Sequence, residues 1–422
     1  MRTQTVSFKF ALMMVVNTIM GAGFLVNIFP LMKVAGYLGF LGYIGAFLIL
    51  LPVMLVMGKF AQQRPMSGGM YQYPKEFLSP LAGFVSGWSY FLGKSATIAL
   101  LTHAFTSFFV QQNILPPIFS VLTYDIIIVT ILSILNMLGV SISGKIQLVF
   151  TALKTIPFSA VLIGGILFLK NNGIPSSIPI PETLSLQSLL PLALFAFSGF
   201  EVICAIGNQI EKPEINSLPI ILSAGAIVLA LYTFLQTSVT FVLGGSCPEK
   251  VNALIAFSQI SFGSPLLGSI IINAAYLAVL SGILSNLANN TWNFHALARD
   301  DFFPQSKILS LINKQNVPWV ALTIKLILVI CLLVLTQEQP ALQNISVACI
   351  TISYLLNALA AFVGAAQKKI IQVPLFISGI GSLFCLGILI FCYLNITKFG
   401  LSLPFIGIYL TGGVLALCRK II

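Results

Sequence analysis

Three ionisable residues stand deep inside apolar sequence: Lys94, Lys154 and Glu201. Placing such a group in hydrocarbon costs about 3 kcal/mol, so each is read first as functional. A buried lysine can exchange a proton. A carboxylate can carry one, partner a gate or brace a helix. Glu201 is expected to hold a proton only where no lysine pairs with it. Lys94 lies about 20 Å along its apolar run, too deep for its side chain to reach water. It must face the interior, near Glu201 or a substrate, and substrate selection and a structural ion pair fit it equally. His103 reads as a polar core residue. Asp125 and Lys325 lie near run ends and read as solvated anchors.

Four amides cluster at Asn286, Asn289, Asn290 and Asn293. The spacing 286, 290, 293 lines one helical face. Amides in lipid leave donors unpaired, so that face should line a pocket or bond across helices. Other chemistries find no residues to carry them. There is no phosphate-binding P-loop for an ATP-driven pump and no HExxH. No nucleophile–base constellation for an intramembrane hydrolase is evident, and no charged repeat could ring a channel pore. The seven Cys include no CxxC. Six lie in apolar runs and Cys247 stands alone in a loop, so no disulfide, metal or cofactor is expected.

The elements that position these groups must be membrane helices. Of 422 residues 58% are apolar and 7% charged, against roughly 25% charged in soluble proteins. A chain with so few charges could not cover its surface in water. The net charge of +11 is spread singly between apolar segments, which does not point to nucleic acid. A helix needs about 20 residues to cross the hydrocarbon. Such runs fall near 9–33, 38–62, 81–110, 119–138, 146–169, 187–210, 217–243, 266–298, 318–336, 341–366, 370–393 and 400–418. The apolar character resumes past Gly23, so the first run reads as a retained helix rather than a cleaved signal. With the N-terminus cytoplasmic, fourteen Lys and Arg fall on the inner side. Lys33, Lys170, Lys250 and Lys398 fall outside, and Lys94, Lys154 and Lys325 lie within runs. That asymmetry places both termini in the cytoplasm.

Two runs carry interruptions at matching places: Gly21-Ala22-Gly23 in the first, Phe197-Ser198-Gly199 in the sixth. Glycine costs a helix about 1 kcal/mol relative to alanine. In lipid, freed backbone groups are tolerated only against protein or a cavity. Broken helices at corresponding positions of two halves point to a transporter's substrate site. Half-helix N-termini offer N–H groups to an anion, and free carbonyls accept from an ammonium. An amino-acid zwitterion presents both. The same glycines would also serve close helix packing.

These residues resemble the amino acid–polyamine–organocation transporter superfamily. The resemblance rests on NTIMGAGF at 17–24, on GKFAQQRPMSGGMYQYPKEFLSPLAGFVSGW at 58–88, on Phe197-Ser198-Gly199-Phe200-Glu201 with Glu211-Lys212-Pro213, and on Ala298-Arg299-Asp300. It runs to about residue 320; the later spans match in hydropathy alone. It implies an all-α membrane protein of about twelve helices with the leucine-transporter fold. The inverted repeats would be 1–170 and 187–366, with peripheral helices over 367–422. It further implies an amino-acid permease, a secondary transporter of the plasma or inner membrane that takes amino acids or related amines. Proton-coupled symport is expected, with substrate–product exchange as the alternative, in a monomer or homodimer. The substrate carboxylate would map to Ala22 and Gly23, beside Gly21, and the amino group to Ile19, Phe197 and Gly199, beside Ser198. Lys154 looks like the lysine that takes the place of a sodium ion in proton-coupled members, with Glu201 in gating or proton work. Asn286 is near where arginine-specific relatives place a stacking Trp, which argues against arginine as substrate.

Overall fold

The computed structural model describes residues 6–20, 22–65, 68–174, 186–206, 210–244, 253–367, 373–402, 406–407 and 409–410. In chain order the helices are α1 (Phe8–Ile19), α2 (Ala22–Ala35), a 3₁₀ turn (Gly36–Leu38), α3 (Gly39–Gln63), α4 (Gly69–Phe77) and α5 (Pro80–Gln111). They continue with α6 (Val121–Met137), α7 (Val140–Asn172), α8 (Leu186–Ala196), α9 (Val202–Ile206), α10 (Pro213–Leu243) and α11 (Ala253–Phe262). The last are α12 (Pro265–Arg299), α13 (Ser306–Leu309), α14 (Trp319–Leu335), α15 (Gln339–Ala366) and α16 (Leu375–Lys398). Starts are written locally. Ser79, Ser120 and Ser264 each accept a backbone N–H from the first turn of α5, α6 and α12, and Pro80 and Pro265 fill the first helical position.

Among the described residues six helical segments are long and apolar enough to cross a membrane: Gly39–Gln63, Thr151–Asn172, Pro213–Leu243, Pro265–Arg299, Gln339–Ala366 and Leu375–Lys398. Shorter apolar helices are α1, α6 and α14. The eleven expected runs up to 393 coincide with described helices, the first and sixth as pairs of half-helices. The twelfth, 400–418, lies largely outside the described residues. Among the described residues three connections carry short helices of their own, α4, α11 and α13.

The centre of the bundle is α5, buried on nearly every side against α4, α6, α12, α14 and α15. Its sequence explains the placement. It is poorer in Leu, Ile and Val than α6, α12, α14 and α15, and its small polar residues bond back to their own helix: Ser95 to Phe91 O (2.8 Å) and Thr97 to Gly93 O (3.1 Å). Thr97 also meets Ser346 of α15 at 2.8 Å. Such a helix is cheap to bury in protein and unsuited to face lipid. Among the described residues the free cysteines are Cys204, Cys349, Cys385 and Cys392, all buried, and Cys331, exposed on α14.

Two expectations are overturned. Asp125 is no solvated anchor: it is 0% exposed, 2.8 Å from His103 Nδ1, and also accepts from Thr106. Lys325 is likewise 0% exposed, donating to the Asn286 carbonyl and lying 6.0 Å from the Phe91 ring centre. Asp125 is the fifth residue of α6 and Lys325 the seventh of α14, both helices of 17 residues. The longer α5 and α12 run past them and cover what a lone helix would leave wet.

Candidate functional site

The first helix breaks where the glycines stand. α1 ends at Ile19 and α2 begins at Ala22; Gly21 itself lies outside the described residues. α8 ends at Ala196, residues 197–201 turn, and α9 resumes at Val202. Gly199 needs its lack of a side chain twice over. Its φ of +130° is one that L residues rarely adopt, and a Cβ there would lie 2.9 Å from Thr18 O and 3.1 Å from Ile19 N. A Cβ on Gly23 would lie 3.2 Å from Ala196 Cα and 3.3 Å from the Phe195 ring. The two breaks therefore touch, backbone against backbone.

The surroundings hold these ends in place. Tyr232 of α10 donates to the Ile19 carbonyl at 2.9 Å, and Gln236 to Ile28 O at 3.1 Å. Asn27 donates to Leu192 O at 2.8 Å and accepts from Gln343 of α15 at 3.3 Å, which joins α2, α8 and α15. Phe197 is fully buried among Tyr43, Phe47 and Tyr232. Ser198 is half-buried, its N–H on Phe195 O at 3.1 Å.

Glu201 is the polar hub. Its Oε1 accepts from Lys94 (2.7 Å) and from the Tyr90 hydroxyl (3.2 Å). Its Oε2 accepts from the Gly199 N–H (2.7 Å) and the Tyr354 hydroxyl (2.8 Å). These donors come from α5, α15 and the break itself, so the carboxylate ties the break to the two helices beside it. The side chains of Lys94 and Glu201 are 7% and 1% exposed. Lys94 thus meets the expected neighbour. Tyr90 and Tyr354 were not read from the sequence. Tyr90 left one signal, its position four residues before Lys94 on the same helical face; Tyr354 left none.

Lys154 is buried in α7 with Nζ 3.5 Å from Asn17 Oδ1 of α1, two residues before the first break. The amide face of α12 divides. Asn290 donates to Phe91 O (3.1 Å) and Asn293 to Gly87 O (3.0 Å), zipping α12 to α5. Asn286 folds back on Gly282 O (2.8 Å), and Asn289 reaches Ser285 (3.2 Å) at an exposed site.

A second cluster closes the far end of α12. Asp300 Oδ2 accepts from Lys75 (2.8 Å), Tyr71 (3.2 Å) and Gln72 (3.4 Å), all of α4. Lys75 also lies 5.3 Å from the Phe302 ring centre. Burial and the Asp300 carboxylate push the Tyr71 hydroxyl pKa well above the usual tyrosine range, so it stays a donor. The most specific stretch of the resemblance, 58–88, and Ala298-Arg299-Asp300 are one contact.

Comparisons with known proteins give the family. The amino acid permease family model matches residues 11–416. Among curated relatives, the serine/threonine exchanger SteT of Bacillus subtilis is 24% identical over 405 residues, 90% of either chain. The amino-acid permease RocE of the same organism is 27% identical over 346 residues, 76% of this chain and 70% of that one. The lysine-specific permease LysP of Lactococcus lactis is 26% identical over 301 residues, 64% of this chain and 57% of that one. A helical bundle with membrane-length apolar segments, two broken helices in contact and a family match along almost its whole length leave one assignment: the chain belongs to the amino acid permease family, within the amino acid–polyamine–organocation superfamily, as a multi-pass membrane protein of amino acid transport.

Proposed function

We propose that the chain is a secondary carrier that takes a zwitterionic amino acid at the paired breaks and works by alternating access. The observation that carries this is the backbone contact of Gly199 with Thr18 and Ile19. It brings two interrupted helices to one point, where peptide groups of Ala22 and Gly23 would meet the carboxylate and those of Ile19, Phe197 and Gly199 the ammonium. The architecture is of the leucine-transporter type, with halves 1–170 and 187–366, helices 367–422 peripheral, twelve spans and both termini cytoplasmic in the plasma membrane. Lys154 exchanges the coupling proton, because it is buried on α7 and bonds α1 beside the break. Glu201, paired with Lys94, braces and gates the α8–α9 break rather than carrying a proton.

Exchange is the second reading. It is favoured by the alignment over 90% of both chains with a protein named as an exchanger. Purified protein in liposomes separates the two. Uptake into empty vesicles driven by an inward proton gradient is expected for symport, and uptake only into vesicles preloaded with substrate for exchange. A thermal-shift screen in which no amino acid or amine stabilises the protein would overturn the carrier reading itself.

A further inference from the structure

The chain has ten carboxylate side chains, and of these only Asp125 and Glu201 fall within the membrane spans expected from the sequence; Glu214 stands exposed in the first turn of α10. Both are already matched. Asp125 is taken by His103 and Thr106. Glu201 accepts four donors, about the full capacity of a carboxylate, and one of them is the ammonium of Lys94 at 2.7 Å. Cations outnumber anions near the breaks. Lys154 faces α1, and the fully buried Lys325 has the Asn286 carbonyl and the Phe91 ring as its described partners, with no acid among the described residues in ion-pair reach.

An ammonium or guanidinium entering a desolvated site needs a counter-charge, because its hydration is otherwise lost without return. Glu201, bonded to the N–H of Gly199, is the carboxylate nearest the breaks that could supply one. We propose that Lys94 is a built-in occupant of the cation subsite: its tethered ammonium fills the place on Glu201 that a cationic substrate side chain would take, and so restricts the carrier to amino acids with uncharged side chains. This rests on the carrier reading above and adds the substrate class. The tether decides the competition. An intramolecular group acts at an effective concentration of about millimolar or more, and a second cation must also enter beside Lys94 itself. Rejection is thus designed in through repulsion as well as through a missing partner.

The test measures binding to purified wild type, Lys94→Met and the double variant Lys94→Met/Glu201→Gln. The probes are L-serine, L-threonine and L-leucine against L-lysine, L-ornithine, L-arginine and putrescine. The wild type is expected to bind a neutral amino acid and to take the cationic set about a hundredfold more weakly or worse. Lys94→Met should gain about tenfold or more for the cationic set, and the double variant should lose that gain. Equal wild-type binding of L-lysine and a neutral amino acid would overturn the inference even if Lys94→Met cannot be purified. A Lys94→Met protein that keeps neutral binding and gains nothing for cations would overturn it too. A wild type that binds neither set overturns the carrier reading instead.

Discussion

Gly199 stands against the carbonyl of Thr18 with no room for a methyl group, 2.9 Å from where a Cβ would be. Alanine there must move one half-helix off the other and also adopt an unfavourable φ, at a cost of about 1–3 kcal/mol. Gly199→Ala is expected to lower Tm by several degrees and to abolish uptake. Gly387→Ala in α16, where nothing lies within 4 Å of the added Cβ, should leave both unchanged. Normal uptake by Gly199→Ala would mean that the contact of the two breaks is dispensable.

The hydroxyls on Glu201 are unequal. Tyr354 donates at 2.8 Å and Tyr90 at 3.2 Å. Removing one donor from a buried carboxylate costs about 1–3 kcal/mol. Tyr354→Phe should therefore slow transport roughly tenfold to a hundredfold, and Tyr90→Phe less. Matching rates for wild type and Tyr354→Phe, measured at saturating substrate, would remove Glu201 from gating.

Lys154→Ala tests the coupling assignment. Wild-type uptake by symport should rise as the external pH falls, and the variant's profile should be flat. Should the variant retain the wild-type pH profile, the proton is carried elsewhere.

The cluster at Asp300 makes a pH prediction for stability. Tyr71 has its pKa raised in the folded protein, by burial first and by Asp300 second. The folded state thus binds this proton more tightly than the unfolded one. Its stabilising effect is complete below the ordinary tyrosine pKa of about 10 and is lost as pH rises beyond that value. Thermal unfolding across pH 8 to 11 should show a fall at the alkaline end that is shallower in Tyr71→Phe. Asp300→Asn, which leaves Lys75 without its ion pair, should lower Tm at neutral pH as well.

The breaks were legible because glycine is costly inside a helix and because it recurs at corresponding places in two halves. Lys94 was legible as an anomaly, since no snorkelling could rescue it at that depth. Its partnership with Glu201 was left open, because two residues 107 positions apart meet only through the packing of α5 on the break. Tyr354 was invisible for a related reason: a tyrosine in an apolar run looks like any aromatic, and only α15 lying against α5 turns its hydroxyl to the carboxylate. Asp125 and Lys325 were misread because a place in the first two turns of a span was taken as access to water. That holds for a lone span and fails where longer neighbours overtop it.

The cysteines have a practical consequence for testing alternating access in this protein. Four thiols are sequestered inside the bundle, and Cys331 sits on an apolar helix where acyl chains would cover it. With Cys247 and Cys418 exchanged for serine, a water-borne maleimide has little to react with in the resting protein. A single reporter thiol introduced at Ser198 or Asn17, both half-buried beside the breaks, would then give a labelling clock for access to them, read against a nearly silent background.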